Sequence, residues 1–389
     1  MTPGARVQAA IECLDDILAG TPAEKSLTNW GRRSRFAGSK DRAAVRDHVF
    51  QSLRCLRSHA ALGGSKTGRG LLIGALRDDG IEPDSVFTGE GHAPSPLQDG
   101  ERAAPRGFAS VAEEHDIPEW LWPLFQRSLG EDSIEAARAL RSRAPAFLRV
   151  NLNKTTVPEA IARLAGEEAT AEAHGASASA LKVTQGARRI KTTQSYLQGF
   201  VELQDAASQA VVDALPLQGD MRVLDYCAGG GGKALAMAAR ARLALFAHDI
   251  EPRRMKDLPH RADRAGVGIT CLDSADLPHA APFDLVLCDA PCSGSGSWRR
   301  DPEGKWRLSQ EGLDHLVALQ ASILDEAAGF VPEGGTLAFA TCSMLDVENG
   351  MQARQFLERN PEWQQQTEAA WQVQNGTDGF YVAVFQRGK

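Results

Sequence analysis

Apolar residues recur along this 389-residue chain with two different periods. Near the start Val7, Ile11, Leu14 and Leu18 fall three and four apart, the stripe of an amphipathic helix, and Val45, Val49, Leu53 and Leu56 mark a second stripe. Residues 1–87 are therefore predicted as a helical domain. Residues 88–107 hold four Gly and three Pro without periodicity, which predicts a linker or surface loop extending to residue 117. A helical pair follows, one helix beginning near Pro118 (Trp120, Leu121, Leu124, Phe125), the other near Asp132 as N-cap (Ile134, Ala137, Leu140). Beyond Pro145 the pattern shortens. Phe147, Leu148, Val150 and Leu152 read as a strand, 158–164 as a helix, and 181–184 and 200–203 as short strands. Residues 118–204 are thus the helical pair plus a small α+β module, which carries Arg188, Arg189 and Lys191 on one turn.

From Asp205 to the end, 205–389, strands and helices alternate: helix 206–214, strand 223–225, helix to Ala241, strand 243–249, helix 252–265, strands 268–272 and 284–289, helix 309–329, strand 335–340, then a last helix and strand at 347–359 and 379–385. That alternation predicts an α/β fold with a parallel, doubly wound sheet.

Composition narrows the function classes. Hydrophobic residues are 43 % and charged residues 24 % of the chain, and no apolar run is long enough to span a bilayer. Glu12, Asp15 and Asp16 interrupt the first helix, which is unlike a secretory signal; a cytoplasmic protein with no membrane contact is expected. Seven cysteines, none at metal-knuckle spacing, and scattered histidines argue against a disulfide framework and a zinc site, so no metal is expected. The net charge of −7 is uneven. Lys25 to Arg69 holds eleven basic residues against Asp41 and Asp47, whereas Asp78 to Glu135 holds fourteen acids against Arg102, Arg106 and Arg127. A basic segment in an acidic chain points to a localised polyanion-binding face.

The chemistry concentrates in the C-terminal sheet. The loop Cys227, Ala228, Gly229, Gly230, Gly231, Gly232, Lys233 joins its first strand and helix, where glycines let a ligand approach the backbone. Ala234 follows Lys233, where a phosphate-binding loop would carry Ser or Thr. Asp249, Asp273 and Asp289 end the next strands and are expected to line one crevice. Such acids suit an adenosyl ligand without phosphates, S-adenosyl-L-methionine. Cys292 follows Asp289-Ala290-Pro291, and Cys342 stands between Thr341 and Ser343 after the fifth strand. Both are expected at the active edge, while Cys13, Cys55, Cys271 and Cys288 read as buried filler. A methyl acceptor that needs a thiol is carbon 5 of a pyrimidine: thiolate addition to carbon 6 turns carbon 5 into a nucleophile.

Over residues 118 to 385 or so, the sequence resembles the RsmB/Nop/Sun family of RNA cytosine carbon-5 methyltransferases. The resemblance rests on Val201 to Gln209, the glycine loop, Asp249 with Arg254, Asp273, the Asp289 to Gly294 block with Arg300, Pro302 and Trp306, Thr341-Cys342-Ser343 with Glu348-Asn349, and Asp378-Gly379-Phe380. It implies a Rossmann-like S-adenosylmethionine-dependent methyltransferase sheet. Arg149-Val150-Asn151 resembles the start of that family's RRM-like domain, and Gly38 to Arg42 with Leu53-Arg54 resembles a NusB-like RNA-binding domain. The resemblance assigns Cys342 as nucleophile and Cys292 to product release, with Asp289 and Lys233 beside them. The loop 227–233, Asp249, Arg254, Asp273 and Asp289 would bind the cofactor. Gly229-Gly230 departs from the family's usual Ala-Pro, which loosens the loop. The implied partner is RNA, with small-subunit ribosomal RNA favoured over transfer RNA by the helical domain. A DNA cytosine methyltransferase would use the Pro-Cys cysteine as nucleophile, and a catalytically idle assembly factor has no need of both cysteines.

Overall fold

A computed structural model describes residues 1–103 and 105–389. The chain packs into two compact units, one of residues 1–126, 130–143 and 298–307, the other of residues 127–129, 144–297 and 308–389. This division differs from the sequence pattern. The helical pair after Pro118 packs mainly with the N-terminal helices, and a ten-residue excursion from the C-terminal region joins them.

The first unit is built on α1 (Pro3–Leu18), α2 (Ala23–Arg33), α3 (Ser39–Arg54), α4 (Leu56–Gly63) and α5 (Gly68–Asp78). Thr2 and Thr67 cap α1 and α5 by accepting hydrogen bonds from the amides of Ala5 and Gly70. The predicted stripes converge on one core of Leu14, Val45, Val49, Leu71, Leu72 and Ile73. Gly74 lets α5 meet α4 backbone to backbone, since a Cβ there would overlap the His59 carbonyl. The segment expected as a linker is part of the unit: Leu97 enters the core, and Glu101 on α6 (Asp99–Arg102) pairs with Arg69. After α7 (Val111–Glu114) come α8 (Trp122–Leu129) and α9 (Ser133–Leu140). Asp132 precedes α9, but its side chain makes no capping bond, because its backbone already turns as helix (φ −74°, ψ −8°).

The second unit opens with β1 (Phe147–Val150), α10 (Val157–Gly166), β2 (Thr170–Ala173), β3 (Ala180–Gln185), α11 (Gln194–Leu197) and β4 (Val201–Leu203). The strand order β2-β3-β1-β4, antiparallel throughout, is the ferredoxin-like arrangement that an RRM-like module shares. The larger sheet follows: α12 (Ala206–Asp213), β5 (Arg222–Asp225), α13 (Gly232–Ala238), β6 (Ala244–Ala247), α14 (Leu258–Ala265), β7 (Thr270–Cys271), α15 (Leu277–Ala280), β8 (Leu285–Asp289), α16 (Pro302–Arg307, in the first unit), α17 (Gln310–Ala328), β9 (Thr336–Thr341), α18 (Gly350–Arg359), β10 (Trp363–Trp371) and β11 (Phe380–Arg387). Its order is β10-β11-β9-β8-β5-β6-β7.

Five strands run parallel, but β11 pairs antiparallel with β9 and β10 antiparallel with β11, so the sheet is mixed rather than wholly parallel. The strand β10 escaped the sequence reading because Gln and Glu fill it; it is an edge strand with a largely exposed side chain row. Both faces are covered. Val223, Leu285, Leu287, Ala338 and Ala340 pack against α12 and α13, while Leu224, Val286, Cys288, Leu337 and Phe339 pack against α17 and α18.

The first unit also buries a polar cluster. His59 Nε2 lies 3.6 Å from Asp78 Oδ2, with Cys55 beside it, and Arg141 pairs with Asp78 at 2.8 Å and with the fully buried Asp116 at 3.1 Å. Burial opposes charge on the imidazole, but Asp78 and Cys55 outweigh it and push His59 up to about 9. Lys305 Nζ, pushed down to about 8 by burial, donates to the carbonyl of Arg54 at 2.9 Å, and Trp306 Nε1 donates to that of Leu53 at 2.6 Å. Because the folded-state value of His59 stands above its ordinary 6.5, its stabilisation is whole below pH 6.5 and is lost as pH rises through about 9. His59→Gln should therefore lower thermal stability by about 1–3 kcal/mol at pH 6 and by clearly less at pH 10. Unfolding curves of both proteins at the two pH values check this; equal losses at both would show that the ring is neutral.

Candidate active site

The C-terminal edge of the larger sheet holds a cleft of about 540 Å³. It is lined by Cys227, Ala228, Gly229, Gly230, Gly232, Lys233, Arg254, Asp289, Cys292 and Cys342, joined by Gln204, Ser208, Arg261, Ala290 and Pro291. Ten expected site residues thus meet at one place. Gly231 packs behind the loop, where its positive φ of +75° and the side chain of Leu258 leave no room for a Cβ. Asp249 is buried under the loop, its Oδ2 accepting from the Gly229 amide at 2.9 Å and lying 3.3 Å from Arg254. Asp273 does not join them. The strand β7 is only two residues long, and Asp273 lies exposed in the loop after it.

The small module braces this loop from below. Arg149 on β1, 5 % exposed, donates to Gln204 and, at 2.8 Å, to the carbonyl of Gly232 at the start of α13. Burial pushes its guanidinium down to about 10, with Glu202 working the other way. Asn151, two residues on, donates to the carbonyls of Gly199 and Ala265. At the other end of the segment, Asp205 caps α12 and accepts from the Asp378 amide at 3.1 Å, so residues 173 apart in sequence meet. Phe380 then lies under Lys233, its ring 4.8 Å from Nζ.

Three charges share the floor. Lys233 Nζ sits 2.7 Å from Asp289 Oδ2. Asp225, 1 % exposed at the end of β5, has no hydrogen-bond partner for either oxygen; burial, then Asp289, push its carboxyl up to about 7. Nothing in the sequence pattern marked Asp225 apart from its place at a strand end.

The two cysteines are 3.4 Å apart, sulfur to sulfur. A hydrogen bond from Cys292, with Lys233 and Ser297 assisting, holds Cys342 below its ordinary range against the effect of burial. The same bond and burial push Cys292 well up. Of the two, Cys342 is thus the thiol favoured to ionise and Cys292 the one favoured to keep its proton. Their spacing is set by Glu348, fully buried, whose carboxylate accepts from the Ser293 amide at 2.8 Å, from Gln320 at 3.0 Å, and from the hydroxyls of Ser293 and Ser343. Gly296 reaches in the same direction: its amide donates to the Cys342 carbonyl at 3.0 Å, and a Cβ on it would overlap Gly379. The sequence reading quoted Glu348 beside Cys342 without a role; its signal was an acid next to a Thr-Cys-Ser turn. Of the other cysteines, Cys13 and Cys288 are buried in the cores, Cys55 lies in the polar cluster, and Cys271 is exposed rather than buried, because β7 is short and at the sheet edge.

The comparisons with known proteins agree with this architecture. A family model described as 16S rRNA methyltransferase RsmB/F matches residues 212–386, and one for the ferredoxin-like domain of RsmF/B-like methyltransferases matches residues 117–189. The ribosomal RNA small subunit methyltransferase B of Xanthomonas campestris is 35 % identical over 277 residues, 68 % of this chain and 62 % of that protein, so the chain spans less than two-thirds of that relative. Its Vibrio cholerae counterpart is 32 % identical over 302 residues, 72 % of this chain and 69 % of that one. Among solved structures, PH0851 superposes with a TM-score of 0.78 at 20 % identity, over 100 % of this chain and 99 % of that one. NSun6 from Pyrococcus horikoshii, solved with SFG, superposes with a TM-score of 0.61 at 15 % identity, over 70 % and 98 %. At these identities the structures speak for the fold, and the sequence matches carry the family: this chain belongs to the RsmB/F methyltransferase family.

Proposed function

We propose that the chain methylates carbon 5 of a cytosine in RNA, with S-adenosyl-L-methionine as methyl donor and Cys342 as nucleophile. The observation that carries this reading is the paired cysteines, 3.4 Å apart and polarised in opposite directions, on the wall of the glycine-loop cleft. The names of the sequence relatives favour ribosomal RNA of the small subunit over transfer RNA.

The cleft suits the donor by its chemistry. Asp225, Asp249 and Asp289 stand behind and beside the loop, and Asp225 is an orphaned buried carboxylate. That ring of acids complements a cationic adenosyl ligand and would repel a pyrophosphate. The residues that would hold it are 227–233, Asp249 and Arg254, with Gln204 and Ser208 at the rim. When bound, S-adenosylmethionine supplies an electrophilic methyl group.

The chain's own residues prepare the base. Cys342 adds as thiolate to carbon 6, which places electron density on carbon 5. Asp289, held by Lys233, is in the cleft to hydrogen-bond the base edge and favour the charged adduct. Restoring the aromatic ring requires loss of the carbon 5 proton and expulsion of Cys342. The Cys292 thiol, already donating to Cys342 Sγ, stabilises the departing thiolate.

Cys342→Ala should abolish methyl transfer while leaving cofactor affinity within about twofold, since a loop sulfur adds little to folding. Cys292→Ala should slow release, so that a denaturation-resistant protein–RNA complex accumulates on a gel. It should also shift the pH dependence of Cys342 alkylation upward, because the donor that favours the thiolate is gone. A complex that persists in the double variant Cys292→Ala, Cys342→Ala would rule out Cys342 as its attachment point.

Glu348→Ala leaves four donors, three of them in the two cysteine loops, without their common partner. It should reduce turnover by roughly 100-fold through misplacement of the thiols, with the cofactor dissociation constant unchanged. Calorimetry with the cofactor beside a labelled methyl-transfer assay separates the two quantities; parallel losses in both would make Glu348 a general folding residue.

A further inference from the structure

Folding neutralises part of the basic segment. Arg46 pairs with Glu24, Arg57 with Glu119 and Arg69 with Glu101, while Arg54 is buried with its guanidinium donating to the Arg299 carbonyl. Most of what survives gathers at the C-terminal end of α2, the turn after it, and the start of α3. Arg32, Arg35, Lys40 and Arg42 are exposed there, and none of them forms an ion pair among the described residues. Arg42 is held in place by its Nε, which donates to the Ala37 carbonyl at 3.0 Å. Arg32, Arg35 and Arg42 line a groove of about 670 Å³ together with Trp30 and Gly31. The acid in its wall, Glu24, is engaged by both terminal nitrogens of Arg46.

Phe36 stands in the same turn, next to Arg35, and is 77 % exposed. A lone exposed phenylalanine is ordinary. Here it is flanked by four uncompensated cations and a groove, a combination that matches an anion carrying flat apolar faces. Guanidinium groups fork onto phosphates, and an exposed ring stacks on an unpaired base. A duplex offers the phosphates but keeps its base faces covered, so a single strand fits better.

We infer that the α2–α3 turn is a docking site for single-stranded RNA, with phosphates held by Arg32, Arg35 and Arg42 and a base stacked on Phe36. The site rests on the reading of the chain as an RNA methyltransferase and adds to it a place on the first unit where the substrate is captured. Lys40 adds charge at the rim.

The test uses the full chain and a fluorescent, mixed-sequence single-stranded oligoribonucleotide of about 12 nucleotides, within the span such sites cover. Affinity is measured over a salt series for wild type, the double variant Arg32→Glu, Arg35→Glu, Phe36→Ala and Phe36→Trp. Methyl transfer from labelled S-adenosylmethionine to total RNA is measured at saturating RNA for each. All of these side chains are exposed, so folding survives. The double reversal should weaken binding at least 10-fold at low salt and lower the salt slope by about 1.4, two phosphate contacts at 0.7 each. Phe36→Ala should weaken it about 10-fold with the slope retained, and Phe36→Trp should restore it. Methyl transfer at saturating RNA should stay near wild type. Unchanged affinity and slope in every variant, with methyl transfer intact, would overturn the docking site alone and assign the face to a protein partner. A salt effect without a Phe36 effect would overturn the stacking. Affinity losses as expected in a protein that transfers no methyl group to RNA would instead support the site and overturn the proposed reaction.

Discussion

A buried carboxylate must collect donors or lose its charge, and Glu348 collects four. The donors come from the loop after β8, the loop after β9 and the middle of α17. Neither of the two loops has regular structure that would by itself hold two sulfur atoms 3.4 Å apart. The backbone contact of Gly296 with Cys342 and Gly379, and the reach of Asn349 from Thr341 to the Ser343 carbonyl, complete the same frame. The opposite polarisation of the two thiols depends on that fixed spacing, because a sulfur–sulfur hydrogen bond fades within a few tenths of an ångström.

The glycine loop depends on a comparable clamp. Four glycines in succession, Gly229 to Gly232, have high conformational entropy. The fold compensates from outside the loop. Asp249 takes the Gly229 amide, Arg261 holds the Gly230 carbonyl, Leu258 closes on Gly231, and Arg149 takes the Gly232 carbonyl from the small module. The small module is therefore a structural member of the cleft, through Arg149 and Gln204.

Much of this was legible in the sequence. Short continuous apolar runs placed β5, β6, β8 and β9, because strands covered on both faces are apolar almost throughout; the positions of Cys292 and Cys342 after β8 and β9 then put them at one sheet edge. The antiparallel β10 was invisible because an edge strand with solvent on its outer row needs no apolar pattern. Asp273 was expected in the crevice from its place after a strand, but it lies exposed in the loop after β7, outside the lining of the cleft.

Charge shows most clearly where sequence stops. The chain by itself determined the alternating elements, the loop of glycines, the two cysteine turns, and two stretches of opposite charge. Only tertiary structure decided which arginines spend their charge on acids within the first unit and which do not, since Arg57 and Glu119, or Arg69 and Glu101, are brought together across long stretches of chain. It likewise decided that Asp225 has no hydrogen-bond partner, that Glu348 has four donors, and that Cys342 rather than Cys292 is the thiol favoured to ionise. Local sequence sets backbone preference and burial pattern over a few residues. The state of a charge or a thiol is set by what lies within a few ångströms, and those neighbours come from everywhere along the chain.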